Sequence, residues 1–302
     1  MNVPIKTLIA AIVIAAIALP AAASAAKGPA LTCGSTVYTD VTLKQDIDCS
    51  AGGDGGLLVG ADDITIDLNG HSITGAGATD GYEGIENGGF DRVTIKNGTI
   101  SAFQDNLYLS NVAKNRILNL KLKSGPNDES NGIYSSYGTG NRFAGNKISY
   151  ANYAFQFVNG SQNTVVDNKI VKPERGVFTT NEAFDQIKRN DVAGFSITTY
   201  GYWSDGDFRM SFTKNVVDGG YEGFYVNAPR GVVIDHAKAN NNGYAGIYIN
   251  GSAANGDTAK VTKSVANDNA EYGIYSTFGI TSWGNTATGN EFYNCHLAAC
   301  NG

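Results

Sequence analysis

Between Asn131 and Val217 one pattern recurs four times. A small residue followed by an apolar one (Gly132-Ile133, Ala154-Phe155, Gly176-Val177, Gly201-Tyr202) precedes, by sixteen residues, a β-branched residue (Ile148, Ile170, Val192, Val217). An asparagine stands two positions before each of these (Asn146, Asn168, Asn190, Asn215), at spacings of 22, 22 and 25 residues. A period in this range means a solenoid, because a unit this short buries its apolar face only by stacking on its neighbours.

The same register extends in both directions. Coils begin at Gly84, Asn106, Gly132, Ala154, Gly176, Gly201, Gly223, Gly246 and Gly273, and the shortest step, 22 residues, is the bare coil. Longer steps place extra residues at Gly125 to Glu129, around Thr198 to Tyr200, and at Ser252 to Asp257 with Ala270-Glu271. Leucine-rich repeats share this period but fail on composition. After Leu122 the only leucine is Leu297, and no i, i+3, i+4 pattern separates the Ile, Val and Phe positions. Short alternating runs such as Ile64, Ile66 and Leu68, with 38 glycines against 6 prolines, give an all-β chain. The expected fold is a single-stranded right-handed parallel β-helix of about ten coils with disulfide-stapled ends.

The ends carry their own signals. Lys6, the apolar run Leu8 to Leu19 and the small residues Ala22 to Ala26 read as a signal peptide over 1–25. The protein is then expected to be secreted or periplasmic, with no membrane segment after cleavage. Residues 26–302 are read as one β-helix domain, with an N-terminal cap at about 31–55, coils at about 56–293 and a C-terminal cap at 294–302. Four cysteines lie near the two ends, and in an exported chain they read as local disulfides, Cys33 with Cys49 and Cys295 with Cys300. Closing a loop of about 17 residues contributes about 3 kcal/mol in the chain-entropy account. No metal site is expected there, since only His296 lies nearby and finger spacing is missing. A net charge of −6 without a clustered basic run argues against a nucleic-acid partner. A monomer is expected.

Stacked coil on coil at ~4.8 Å, Asn146, Asn168, Asn190 and Asn215 can pass amide hydrogen bonds along the stack, a structural row.

The opening Cys33-Gly34, the run Leu43 to Cys49, the segment from Ile64 to Gly75 and the repeated Gly-Ile … Asn-x-Ile resemble the exported parallel β-helix proteins of the pectate-lyase-like superfamily. The resemblance covers nearly the whole mature chain and implies the fold. For activity it spans polysaccharide lyases, hydrolases, mannuronan epimerases, copper-loading proteins of nitrous oxide reductase and adhesins, and fold alone does not choose among them. The epimerase-type Asp-Pro-His-Asp is absent, and a copper-loading role calls for clustered Met and His, whereas this chain has 2 Met and 3 dispersed His. His71 reads as a turn or inter-coil hydrogen-bonding residue.

Alternation along the coil-start strand turns one residue per coil outward: Glu86, Tyr108, Tyr134, Gln156, Phe178, Trp203, Tyr225, Tyr248 and Tyr275. Seven of the nine are aromatic where polar residues are expected. At ~4.8 Å per coil they form a strip of roughly 38 Å, which serves either to brace its own sheet or to pack against an extended polysaccharide. The next outward row holds Asp205, Asn227, Asn250 and Thr277 in the second half of the strip. Tyr134, Phe178, Trp203, Tyr225, Asn227, Tyr248, Asn250 and Tyr275 are therefore the candidate substrate-binding residues.

The run Tyr200 to Arg209 brings Asp205, Asp207, Arg209 and Trp203 close in sequence. Two acids whose pKa values diverge can divide the acid and base roles of glycoside cleavage. A lyase or epimerase needs instead a base and a cation, Arg209 or Arg230, or Ca2+ held by the Asp205/Asp207 pair. Asp205, Asp207 and Arg209 are the candidate catalytic residues, and Ca2+ is the one cofactor considered. Asp235 and His236 align with Asp167, Arg189 and Lys214 on a different sheet and are left out. The expected function is binding, with processing, of an extended polysaccharide; the alternative is a non-catalytic matrix or adhesion protein using the same strip.

Overall fold

The computed structural model describes residues 31–77, 81–124, 130–194 and 200–301. The expected signal peptide, the expected insert at 125–129 and all of the second expected insert except Tyr200 lie outside the described residues.

A complete coil contributes one strand to each of three parallel sheets. The coil Asn131–Ser136, Arg142–Ala144, Lys147–Ser149 leads directly into the next first-sheet strand, Tyr153–Val158. The first sheet has 12 strands, the second 11 and the third 9, giving a parallel β-helix of about eleven turns. One 3-10 turn, Ala253–Asn255, is the helix among the described residues, and it sits in the expected insert at Ser252 to Asp257. Cys33–Cys49 and Cys295–Cys300 are disulfides near the two ends.

Inward residues fill the solenoid in register: Ile133, Phe155, Val177, Tyr202, Phe224, Ile247 and Ile274 pair successively and are all essentially buried. Each such side chain contributes about 1.5–3 kcal/mol by leaving water. The small residue before each is a packing requirement. A Cβ at Gly223 would stand 2.5 Å from the Gly246 carbonyl oxygen of the next coil, so this corner has no room for a side chain.

The asparagine row forms as expected. Asn146 Nδ2 donates to Asn168 Oδ1 (3.0 Å), Asn168 to Asn190 (2.9 Å) and Asn190 to Asn215 (3.1 Å), while each oxygen also accepts the backbone N–H of the preceding asparagine. The spare Nδ2 hydrogens go to the carbonyls of Ile117, Phe143, Val165 and Ile187. Between the second and third sheets, one left-handed residue per coil makes the bend, among them Asn119, Asp167, Arg189, Lys214 and His236. Stacking also does what linear sequence conceals: cations 22 or 26 residues apart meet on one face of the second and third sheets, so the chain does have a clustered basic surface.

Candidate functional site

The first sheet presents the aromatic row. Tyr108, Tyr134, Gln156, Phe178, Trp203, Tyr225, Tyr248 and Tyr275 are consecutive register partners, with Glu86 before them and His296 after. All are half-buried, since each ring covers its neighbour and leaves its outer edge open. Ring centroids lie 5.6 Å apart for Phe178–Trp203, 5.4 Å for Trp203–Tyr225, 5.8 Å for Tyr225–Tyr248, 5.0 Å for Tyr248–Tyr275 and 4.8 Å for Tyr275–His296. Gln156 is the one break, separating the stacked Tyr108–Tyr134 pair (5.4 Å) from the longer run.

A second bank of tyrosines lies beside the first and was not foreseen. Tyr200 approaches Trp203 (4.6 Å) and Tyr221 (5.9 Å), Tyr221 stacks on Tyr244 (5.2 Å), and Tyr244 meets Tyr272 (5.3 Å). The signal was present in the sequence as a tyrosine just ahead of the small residue, in Tyr200-Gly201, Tyr221-Glu222-Gly223, Tyr244-Ala245-Gly246 and Tyr272-Gly273. Burial raises the pKa of Tyr200, Tyr225 and Tyr248, so all three hydroxyls are neutral donors and acceptors.

The polar row runs alongside as a hydrogen-bonded chain. Thr277 Oγ1 reaches Asn250 Oδ1 (3.5 Å), Asn250 Nδ2 donates to Asn227 Oδ1 (2.7 Å) and Asn227 Nδ2 to Asp205 Oδ1 (2.8 Å). Asn227 and Asn250 are thus set in place by each other, and Asp205 ends the chain on the outer face of the sheet.

Of the six buried side-chain polar atoms without a hydrogen-bond partner among the described residues, three fall on adjacent coils at the aromatic wall, Arg175 Nε, Trp203 Nε1 and Glu222 Oε2; the others are Asn106 Oδ1, Ser130 Oγ and Asp185 Oδ2. Arg175 and Glu222 are both register partners of Tyr200. The Arg175 guanidinium lies over Tyr153 (4.7 Å) and Trp203 (5.5 Å), and its one polar contact among the described residues is Nη1 to Asn152 Oδ1 at 3.4 Å. Glu222 is 4% exposed, and burial pushes its carboxyl up to about 8, so it holds its proton at neutral pH. An unsatisfied buried polar atom costs about 1–3 kcal/mol, and perturbed groups gathered in one place mark functional sites. Neither Arg175 nor Glu222 was singled out in the sequence. Their register row reads Asp105, Asn131, Tyr153, Arg175, Tyr200, Glu222, Ala245 and Tyr272, a mixture with no repeat to follow.

The expected catalytic group does not assemble as one open cluster. Asp207 is fully buried, and its oxygens accept from Ser204 Oγ (2.6 Å), Thr179 Oγ1 (2.5 Å) and the Glu182 backbone N–H (2.8 Å). The strand ends at Asp205 and turns at Gly206 (φ 67°), so Asp207 points into the wall while Asp205 points out. Arg209 is exposed past the turn, over Phe208 (4.9 Å) and Phe184 (5.8 Å). Asp207 belongs to a buried acid group with Glu182 and Asp185, all raised above the usual carboxylate range, first by burial and, for Glu182, then by the charge of Asp185. Asp185 Oδ1 and Glu182 Oε1 accept the backbone N–H groups of Asn163 (2.7 Å) and Gly160 (2.6 Å). Their geometry joins coils.

Among the described residues no group of three or more His, Cys, Asp or Glu is arranged to hold a metal ion, and with Asp207 turned inward the Asp205/Asp207 pair does not form a Ca2+ cradle. His71 contacts Asp46 (3.2 Å), an inter-coil role as expected. His236 pairs with Asp235 (2.7 Å) at the bend between the second and third sheets, away from the aromatic wall.

A family model described as periplasmic copper-binding protein (NosD) matches residues 40–196, just over half of the chain. No curated protein sequence matches. Among solved structures, an alginate lyase from Paenibacillus sp. strain FPU-7 superposes with a TM-score of 0.57 at 13% identity, covering 83% of this chain and 98% of its own. The catalytic unit of a GH87 α-1,3-glucanase from Streptomyces thermodiastaticus strain HF3-3 gives 0.54 at 11% identity, covering 88% of this chain and 64% of its own. This chain spans less than two thirds of the length of the glucanase domains it matches. At these identities the likeness is one of fold.

Proposed function

We propose that this chain, which belongs to the NosD family, holds an extended polysaccharide along the aromatic wall of its first sheet and processes it beside Tyr200. One observation carries the reading: five rings in unbroken register, from Phe178 to Tyr275, keep their outer edges open on a surface where β-helix alternation calls for polar side chains. Aromatic faces pack on the C–H faces of sugar rings, while Asp205 and the phenolic hydroxyls meet sugar hydroxyls. Protonated Glu222 supplies an acid and Arg175 a cation within the same three coils, a pairing suited to glycosidic or lyase chemistry. Of the expected acids, Asp205 faces the ligand. The polysaccharide names of the structural relatives agree with this reading, and the disulfides and the periplasmic description of the family agree with an exported chain.

Copper, which the family description names, does not fit the described donors. His71, His236 and His296 lie on different sheets or bends, all four cysteines are in disulfides, and Met210 is fully buried in the core.

A panel of polysaccharides tested for retention in native gels, for reducing-end release and for unsaturated-product absorbance checks the proposal. Trp203→Ala with Tyr225→Ala should abolish retention, and Glu222→Gln should abolish turnover while retention persists. Turnover that survives both Glu222→Gln and Asp205→Ala would remove the processing half; failure of every polymer to be retained would remove the binding half.

A further inference from the structure

The second and third sheets carry a cationic face that the aromatic wall does not use. In the second sheet Arg116 and Arg142 are register partners. In the third, Lys121, Lys147 and Lys169 are consecutive partners, with Lys123 on the adjoining outward row. All six side chains are exposed, and none is among the ion pairs of the described residues. The two sheets meet at a two-residue bend, so one coil displays Arg116, Lys121 and Lys123 and the next Arg142 and Lys147. Two carboxylates adjoin the face: Asp167, held by Arg189 (2.7 and 2.8 Å) and lowered further in pKa by the charge of Arg142, and Asp191, which follows Lys169 in register.

Like charges directly opposite one another across a strand pair destabilise a sheet, so this ladder opposes folding. The fold does not require it. The same outward positions are filled by Thr99, Asp191 and Val216 in the third sheet and by Thr94, Thr164, Gln186 and Ser211 in the second. The solenoid is thus its own control: uncharged residues and one acid fit, yet over two to three coils Lys and Arg stand at these positions in a chain of net charge −6.

We propose that this face binds a linear acidic polysaccharide lying along the solenoid axis, a second glycan surface distinct from the aromatic wall. Cations repeating at ~4.8 Å in straight rows match an extended polymer bearing one carboxylate or ester anion per sugar. The observations favour a polysaccharide over single-stranded nucleic acid, which takes aromatic platforms for its bases. They also favour it over a lipid surface, which takes Trp, Phe or Leu for insertion. The outward residues between the cations here are Leu118, Ala144 and Ser149, with Leu118 half-buried. Binding is chiefly counterion release and falls with salt.

The test uses polygalacturonate as the probe, with uncharged dextran, oligothymidylate and vesicles containing anionic phospholipid as comparators. The triple variant Arg142→Thr, Lys121→Thr, Lys147→Thr uses the residue the solenoid itself accepts at these positions and should unfold no earlier than the parent. The parent should bind polygalacturonate at low salt and lose it as salt rises, and the triple variant should weaken this at least tenfold with a shallower salt dependence. Lys214→Thr, which removes a cation outside the face, should leave it unchanged. Equal binding by parent and triple variant overturns the proposal, as does loss of binding only in the Trp203/Tyr225 variant, which would assign the acidic polymer to the wall. Tighter binding of oligothymidylate or vesicles than of polygalacturonate through these cations overturns the class of partner.

Discussion

The asparagine bend and the aromatic wall are equally regular, and they differ in how their buried polar atoms are satisfied. At the bend, Asn146, Asn168 and Asn190 place both amide hydrogens and the carbonyl oxygen in hydrogen bonds within the stack. In the wall, Arg175 Nε, Trp203 Nε1 and Glu222 Oε2 have none. A fully satisfied polar network fixes structure, whereas unmet groups under an open aromatic surface are retained at a cost that stability alone does not explain. The bend holds the coils together; the wall is where a ligand would supply what the protein lacks.

The contrast is most easily broken at the bend. Asn168→Leu removes four hydrogen bonds and leaves the Asn146 and Phe143 groups unpaired. It should cost about 3–5 kcal/mol and lower Tm by roughly 10 °C in a thermal melt, with polymer retention of the remaining folded protein unchanged. In the wall, Glu222 gives a pH signature. Its folded carboxyl is raised from 4.5 to about 8, so the native state binds the extra proton between these values and stability falls as pH rises through that window. Burial moves Asp105 and Asp207 to about 6 with the same sign over a shorter span, and raises Glu182 and Asp185 likewise, so part of the decline belongs to these acids and remains when Glu222 is replaced. Glu222→Gln should therefore flatten the decline in Tm between pH 5 and pH 8, gaining on the parent by about 3 kcal/mol at pH 8.

Smaller effects separate binding from stability. Trp203→Ala should weaken polymer affinity at least tenfold, about 1.4 kcal/mol or more, in affinity electrophoresis. Asp207→Asn should cost about 1–2 kcal/mol of stability, since a donor amide replaces an oxygen that accepts from Ser204 and Thr179. Asp205→Asn should shift stability by no more than about 0.5 kcal/mol, and its effect should appear in turnover.

The fold was legible because a solenoid repeats its reasons. The small residue, the inward apolar residue and the asparagine each recur once per coil, so the inward row from Ile133 to Ile274 and the outward row from Tyr108 to Tyr275 followed from spacing and alternation alone. What escaped was whatever does not repeat. Arg175 and Glu222 occupy a row whose residues change from coil to coil, and Asp207 lies beyond a strand end, where the left-handed Gly206 and not alternation sets its direction. The cationic face escaped for another reason: Lys121, Lys147 and Lys169 are neighbours only after the coils are stacked.

Trp203 is one of two tryptophans, and with Trp283→Phe it becomes the sole indole, positioned at the centre of the wall. Titrating that variant, at a salt concentration that abolishes polygalacturonate binding by the cationic face, with the polymer that retains the parent protein in gels at the same salt tests the central claim most directly. The wall reading predicts a saturable change in Trp203 emission with the same midpoint as retention. Retention without any change in Trp203 emission would place the polysaccharide elsewhere and contradict the account.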